Sequence, residues 1–154
     1  MILEIIGAVF ALLIAIYAIF IVLDRKKLDM VKMSTMSIFK KYGKIKRDHK
    51  ATLFVTDKET YEVLYFNVTK NAELTINSRT MWEVINSGKA KIIDQSTFLS
   101  SKYPKIVIIY PSTQVIKRHI NENEMVFVKS NDYFYDFTLI KDYELETILK
   151  EGIL

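Results

Sequence analysis

The stretch IleValIleIleTyr (106–110), with Pro104 before it and Pro111 after it, decides the fold that we predict for this chain. It is a continuous apolar run of strand-forming residues. Runs of this length between turn signals are typical of strands that are buried on both faces. We therefore expect residues 106–110 to form a central strand, covered on each face by other parts of the protein.

Further strand signals precede this run. Segments 51–56 and 61–68 are rich in β-branched and aromatic residues, and AspLysGluThr (57–60) between them predicts a hairpin turn. Two shorter segments, 72–76 and 91–93, are predicted as further strands. The connections are short, which favours antiparallel pairing between neighbouring strands.

A short helix is predicted between these strands. Thr80 and Glu83 have the spacing of a capping box, the apolar residues within 81–85 share one helical face, and Gly88 provides a C-terminal cap.

Beyond the central strand, segment 113–120 fits either a short helix or a strand. Segments 124–129 and 133–140 are predicted as a hairpin joined through SerAsnAsp (130–132). A closing helix is predicted over 142–151. Its inward side chains are expected to be Leu145, Ile148 and Leu149.

These elements define the predicted fold class. Residues 51–154 form one globular α+β domain, with a mostly antiparallel sheet and a C-terminal helix. A PH-like barrel is the alternative, because a strand-rich domain that is closed by a C-terminal helix also fits that architecture.

The amino terminus differs in character. Residues 2–23 are almost entirely apolar and, as a helix, would span roughly 33 Å at ~1.5 Å per residue, which predicts a transmembrane anchor over 1–23. A cleaved signal is disfavoured because Glu4 replaces the usual basic start and no Ala-x-Ala site follows. We expect a retained anchor.

The basic flank predicts the topology. Arg25, Lys26, Lys27 and Lys32 all follow the apolar run, and basic residues near a span favour the cytoplasmic side. The expected arrangement is a single-pass cell-membrane protein with its N-terminus outside and residues 24–154 in the cytosol. The lack of cysteine fits a reducing compartment.

Charge is concentrated in residues 24–50, predicted to be a juxtamembrane helix (28–42) followed by a linker (44–50). Ten basic and three acidic residues give this segment 10 − 3 = +7, although the whole chain carries only +4. Three interpretations stay open: topology-setting charge with a solvated linker, contact with anionic lipid headgroups, and contact with nucleic acid. The predicted contact residues are Lys40, Lys41, Lys44, Lys46, Arg47 and Lys50.

Small residues form a stripe on the predicted anchor. Gly7, Ala11 and Ala15 recur every four residues, so they share one helical face on which two helices can approach closely. This predicts a homodimer through the helix. The alternative is that the stripe faces lipid.

Signals for catalysis are weak. The chain has no cysteine, its two histidines lack metal-ligand spacing, and its four glycines exclude Gly-rich phosphate loops, so no metal or cofactor is predicted. A divergent metal-dependent nuclease is a distant third hypothesis. Such enzymes place an Asp after one strand and a Glu-x-Lys sequence on the next strand. Asp57 fits the Asp position in outline, but Asn67 and Thr69 occupy the positions of the Glu and the Lys.

The predicted function follows from this pattern. The leading hypothesis is a non-enzymatic, membrane-anchored binding or scaffolding module that holds a protein partner at the inner membrane face. The alternative is a membrane-tethered nucleic-acid-binding protein. TyrPheTyr (133–135) cannot all face one way on a strand, so an open sheet face there would suit a protein partner, whereas a covered one would be core.

Overall fold

The protein is described here from a computed structural model, which covers residues 2–48, 51–69, 71–111, 113 and 115–152, without the side chains of 2–5 and 8. The chain divides into two compact units, Met1–Ser34 and Thr35–Leu154. Helix α1 spans Ile2–Tyr42.

Within the residues that the structure describes, no helix combines the length and the apolar character that a membrane crossing requires. Helical structure continues through residues 24–27, so the charged residues that were predicted to flank a span lie inside the same helix, where Lys27 pairs with Asp24 at 3.7 Å. This finding contradicts the predicted anchor over 1–23, the single-pass topology and the cell-membrane localisation, which we withdraw.

In the described residues, eleven strands and a short C-terminal helical segment follow α1 in chain order. The strands are β1 (Lys44–Asp48), β2 (Ala51–Val55), β3 (Thr60–Asn67), β4 (Glu73–Ile76), β5 (Met81–Asn86), β6 (Lys89–Asp94), β7 (Lys105–Tyr110), β8 (Val115–Asn121), β9 (Glu124–Phe127), β10 (Tyr133–Phe134) and β11 (Phe137–Lys141). A 3₁₀ turn (Asp142–Glu144) leads into α2 (Leu145–Lys150).

The strands form two mixed sheets. Sheet A has the order β1-β2-β3-β7-β11-β10, and its centre is parallel, because β7 pairs in parallel with β3 on one side and with β11 on the other. Sheet B has the order β6-β5-β4-β8-β9, with one parallel pair, β4 with β8. Six of the nine strand pairs in the described residues are antiparallel, but the prediction of one mostly antiparallel sheet is wrong, because the strands form two sheets and each sheet contains parallel pairing. The PH-like barrel is also wrong, because both sheets are open.

Strand β7 confirms the sequence-based expectation for 106–110, since every residue from Lys105 to Tyr110 is buried. On one side of sheet A, Val107 and Ile109 join a core shared with sheet B, in which Trp82 lies 5.0 Å from Phe66 and 5.4 Å from Phe137 between ring centroids. A cluster of this kind buries most of the apolar surface that stabilises the fold.

The other side of sheet A contacts helical residues of the same unit. Phe39, in the last turns of α1, is fully buried and its ring centroid lies 4.6 Å from that of Phe54. Thr35 Oγ1 lies 2.7 Å from the hydroxyl of Tyr65. The predicted C-terminal helix is confirmed, and its buried residues are Leu145, Ile148 and Leu149.

Two local predictions fail, and one alternative that was left open is resolved. The predicted helix over 80–88 is strand β5 and a Ser87-Gly88 turn, because Trp82 and Val84 alternate inward toward the core. The predicted linker over 44–50 contains β1, which pairs along its whole length with β2. The ambiguous segment 113–120 contributes strand β8.

The predicted hairpin of 124–129 with 133–140 is also wrong. Strand β9 belongs to sheet B, whereas β10 and β11 belong to sheet A and pair with each other. Tyr135 and Asp136 form the turn between them, with φ of 51° and 61°. This turn interrupts the alternation that was expected from 133 to 140.

Candidate functional site

The edges of the two sheets differ in how well they are protected against pairing with another chain. Lysine on an edge strand is a usual protection. Strand β1 carries Lys44 and Lys46, β6 carries Lys89 and Lys91, and β10 is only two residues long. Strand β9, GluMetValPhe, has no basic residue. It is therefore the least protected sheet edge in the described part of the chain.

Strand β9 also exposes large apolar side chains. Phe127 is 70% exposed and Met125 is 52% exposed. They lie on the outer face of sheet B, opposite Lys117 and His119 of β8, and Lys117 Nζ lies 5.7 Å from the centroid of the Phe127 ring. Exposed apolar side chains that are grouped in this way mark surfaces for protein contact.

The backbone of β9 leaves a short open edge. Val128 donates its N–H to Ile116 O on β8 at 2.8 Å, so strand alternation directs the N–H and C=O groups of Met125 and Phe127 away from β8. At one end Lys129 N–H donates to Asp132 Oδ2 at 2.9 Å, and at the other Asn123 N–H donates to Asn121 Oδ1 at 3.0 Å. These two bonds limit the open edge to residues 125–127.

A shallow depression of about 450 Å³ lies beside the β8–β9 turn. Its lining combines polar and apolar side chains, and Tyr135 in the β10–β11 turn forms one wall. Asn77 Oδ1 is buried there without a hydrogen-bond partner. The lining residues are Asn77, His119, Ile120, Asn121, Glu122 and Tyr135.

The turn that carries Tyr135 is held by an ion pair. Arg79 donates from Nε to Asp136 Oδ1 at 3.0 Å and from Nη2 to Asp136 Oδ2 at 2.9 Å. The hydrogen bonds and the positive charge of Arg79 lower the pKa of Asp136. Because non-glycine residues rarely adopt positive φ, the side-chain contacts of Asp136 help to explain why the turn is stable.

A second polar cluster is buried at the start of β7. Lys105, which is 1% exposed, donates from Nζ to Ser101 O at 2.8 Å and to Tyr103 O at 2.6 Å. Burial lowers the pKa of Lys105, while the charges of Asp136 and Glu62 oppose that shift. Ser101 Oγ donates to Glu62 Oε2. Because both lysine bonds go to loop carbonyls, this cluster fixes the loop before β7.

The structure separates the predicted basic contact residues. Lys40 and Lys41 lie in the last turn of α1, and Lys41 Nζ pairs with Glu146 Oε1 of α2 at 2.7 Å. On β1, Lys44 and Lys46 alternate with Arg47, so they point to opposite sides of the strand. Lys50 lies outside the described residues. The residues that were predicted to form one basic contact surface are thus divided between a helix end and two sides of a strand.

The predicted self-association stripe lies in the first unit. Gly7, Ala11 and Ala15 are exposed on α1, and a Cβ added at Gly7 would meet no atom within 4 Å. Association of two helices through this stripe stays a prediction.

The nuclease hypothesis finds no geometric support. Asp57 lies in the turn before β3, whereas Asn67 is its last residue and Thr69 lies beyond it. At about 3.3 Å per residue, these positions are more than 20 Å apart along the strand. Among the described residues, no three or more His, Cys, Asp or Glu side chains are placed to hold a metal ion.

Sequence reasoning missed the β9 edge. It identified the strand but assigned its free side to a hairpin with 133–140. The available signal was the contrast between GluMetValPhe and the lysine-bearing strands 44–48 and 89–94. That contrast becomes informative only once the strands that end each sheet are known.

Comparison of the chain with family models, curated proteins and solved structures finds no significant match.

Proposed function

We propose that this chain is a non-enzymatic binding module that holds a protein partner along the β9 edge of sheet B. The observation that carries the proposal is Phe127, an aromatic side chain that is 70% exposed on an edge strand without lysine. An extended segment of a partner can add to such an edge through main-chain hydrogen bonds, while side-chain contacts select the segment.

Two features of the surroundings support this proposal. Met125, about half exposed, adds to the apolar surface beside Phe127, because both side chains project from the same face of β9. The central strands behind this surface are well packed, since Trp82 and Leu74 are fully buried. A rigid sheet therefore presents the apolar edge, which lowers the entropy cost of binding.

The test is site-specific photocrosslinking in the cells that make the protein. Phe127 is replaced by p-benzoylphenylalanine in the full chain, and Tyr143, which is 62% exposed on the 3₁₀ turn, is replaced in a matched control. We expect position 127 to give a discrete protein adduct that is absent from position 143. Met125→Lys in the same chain should remove that adduct by placing a charge beside it.

The alternative function is nucleic-acid binding, favoured by the exposed basic side chains of β1, Lys44, Lys46 and Arg47. Contacts of this kind would be made to phosphates and would be strongly salt-dependent. A nucleic-acid adduct at position 127, or equal protein adducts at 127 and 143, would contradict the protein-binding proposal.

A further inference from the structure

We infer that the partner of the β9 edge is a second copy of this chain. In this dimer the two β9 strands pair antiparallel about a twofold axis that passes through Val126. The inference rests on the proposed function, because it names the partner of the same surface. It concerns sheet B and does not involve the Gly7–Ala11–Ala15 stripe of α1.

The hydrogen-bonding pattern selects the register. Only Met125 and Phe127 direct N–H and C=O groups outward, so antiparallel pairing must place outward residues opposite one another. With Met125 opposite Phe127 of the second copy, the outward N–H and C=O groups of both residues form hydrogen bonds in each chain. Val126 then faces its own counterpart at a position without hydrogen bonds.

Neighbouring registers satisfy fewer groups. Placing Met125 opposite Met125 brings Phe127 opposite Asn123, whose N–H already donates to Asn121 Oδ1. Placing Phe127 opposite Phe127 brings Met125 opposite Lys129, whose N–H already donates to Asp132 Oδ2. Each shift would leave two symmetry-related pairs without their full set of hydrogen bonds.

The side chains match in the selected register. Met125 and Phe127 project from the same face of the strand, so each Met125 lies beside Phe127 of the second copy. The four most exposed apolar side chains at this edge would thereby cover one another. Aromatic and thioether groups interact favourably in such contacts.

Charge also favours this orientation. Glu122 precedes the strand, Glu124 is its first residue, and Lys129 follows it. Antiparallel self-pairing brings the acidic end of each strand beside Lys129 of the other, whereas parallel pairing would align like charges. Complementary rim charges of this kind set orientation and association rate.

The first test uses the absence of native cysteine. In Val126→Cys, the two thiols would lie on neighbouring strands with Cα atoms about 4.5 Å apart, a separation that disulfides accept. We expect mild oxidation of the full chain to give a covalent dimer at a rate that rises with protein concentration. The control is Ile92→Cys, an exposed position on the other edge of sheet B.

The second test uses charge reversal in the Val126→Cys background. Glu122→Lys with Glu124→Lys should slow crosslinking at low salt by about tenfold, within the range of electrostatic effects on association rates. Adding Lys129→Glu should restore the rate, because the reversed charges are again complementary. If the glutamate reversals slow crosslinking but adding Lys129→Glu does not restore the rate, the antiparallel orientation is wrong.

The outcomes separate this inference from the proposed function. If Val126→Cys stays monomeric, or crosslinks no faster than Ile92→Cys, the second copy is not the partner. A heterologous protein adduct at position 127 would then still support a binding module. Absence of any protein adduct at 127 together with a monomeric Val126→Cys would overturn both.

Discussion

Arg79 and Asp136 join the loop before β5 in sheet B to the β10–β11 turn in sheet A through two parallel hydrogen bonds of 3.0 and 2.9 Å. Arg79 Nη2 also donates to Leu99 O at 3.3 Å. The guanidinium therefore connects the loop before β5 both to the β10–β11 turn and to the segment that contains Leu99. Bidentate arginine–carboxylate pairs of this kind are geometrically specific. The pair holds in place the turn on which Tyr135 lines the depression.

The first prediction concerns the pH dependence of this pair. Hydrogen bonds from Arg79 lower the pKa of Asp136 below its usual 3.8. A lowered carboxyl pKa contributes stability above the unfolded-state pKa, and that stability is lost as pH falls through the folded-state pKa. We expect Asp136→Asn to remove this part of the acid dependence of the unfolding free energy, measured by urea denaturation from pH 6 down to pH 3.

The size of this effect should be small. Both side chains are more than two-fifths exposed, so solvent screens the pair and its contribution is about 1 kcal/mol or less. Asparagine tolerates the positive φ at position 136, which keeps backbone strain out of the comparison. Arg79→Gln should remove the same part of the acid dependence of the unfolding free energy. If that dependence is unchanged in both variants, the pair does not stabilise the fold.

The second prediction concerns Gly43, which ends α1. A Cβ at this position would lie 2.6 Å from Phe54 Cε2 and 2.7 Å from Val55 O, and the carbonyl belongs to the backbone and cannot rotate away. We expect Gly43→Ala to lower the unfolding free energy by about 1–3 kcal/mol, as overpacking usually does. Chemical denaturation followed by the fluorescence of Trp82 measures this change.

Gly7→Ala is the matched control for Gly43→Ala, since a Cβ at Gly7 meets no atom within 4 Å. It should leave the transition of the second unit unchanged. Equal stability of the Gly43 and Gly7 variants would show that the α1–β1 connection moves freely enough to accept a side chain.

Some of the fold could be predicted because local sequence alone determined it. The all-apolar run 106–110 can be accommodated only where both faces are covered, and the structure buries all of it. Leu145, Ile148 and Leu149 have helical spacing with little competing strand propensity, and they form the buried face of α2. The helix that was predicted to end at residue 42 does end there, and the N–H of Gly43 donates to Phe39 O at 3.0 Å.

The rest depended on contacts between distant segments. The Thr80–Glu83 spacing suited a helix, but Trp82 fills the centre of the core only when 81–86 is a strand. The parallel pairing of β7 with β3 and β11 joins segments far apart in sequence, which local patterns do not encode. The β9 edge was missed for the same reason, since an edge is a property of the completed sheet.

The third prediction tests whether the basic side chains of β1 contact nucleic acid. Replacing Lys44, Lys46 and Arg47 by Gln removes three exposed positive charges from β1 while leaving the Lys41–Glu146 pair intact. If these residues contact phosphates, the slope of log affinity against log salt for duplex DNA should become less steep by about 2–3, at about 0.9 per contact. Fluorescence anisotropy at several salt concentrations measures the slope.

Lys89→Gln with Lys91→Gln is the control for the β1 substitutions, because β6 is also a lysine-bearing edge. It should leave the slope unchanged if the basic side chains of β1 make the specific contact. An equal effect of the β1 and β6 substitutions would indicate that only the net charge of the chain matters. No effect of either would show that the basic side chains of β1 do not contact nucleic acid.

The fourth prediction concerns Lys105. Its ammonium group is buried and donates to the carbonyls of Ser101 and Tyr103. Lys105→Met keeps the aliphatic stem but leaves both carbonyls without their donor, which should lower the unfolding free energy by about 1–3 kcal/mol. Lys102→Met, three residues away and exposed, should change stability by less than about 0.5 kcal/mol.

The pH dependence distinguishes loss of the ammonium group from simple repacking. Because burial lowers the pKa of Lys105, the unfolded state binds this proton more tightly than the folded state. Its contribution to stability therefore rises with pH from the lowered pKa toward the usual 10.5. The stability difference between the parent and Lys105→Met should grow across that interval, whereas the Lys102→Met difference should stay flat. A flat Lys105→Met difference would show that the buried amine titrates alike in the folded and unfolded chain.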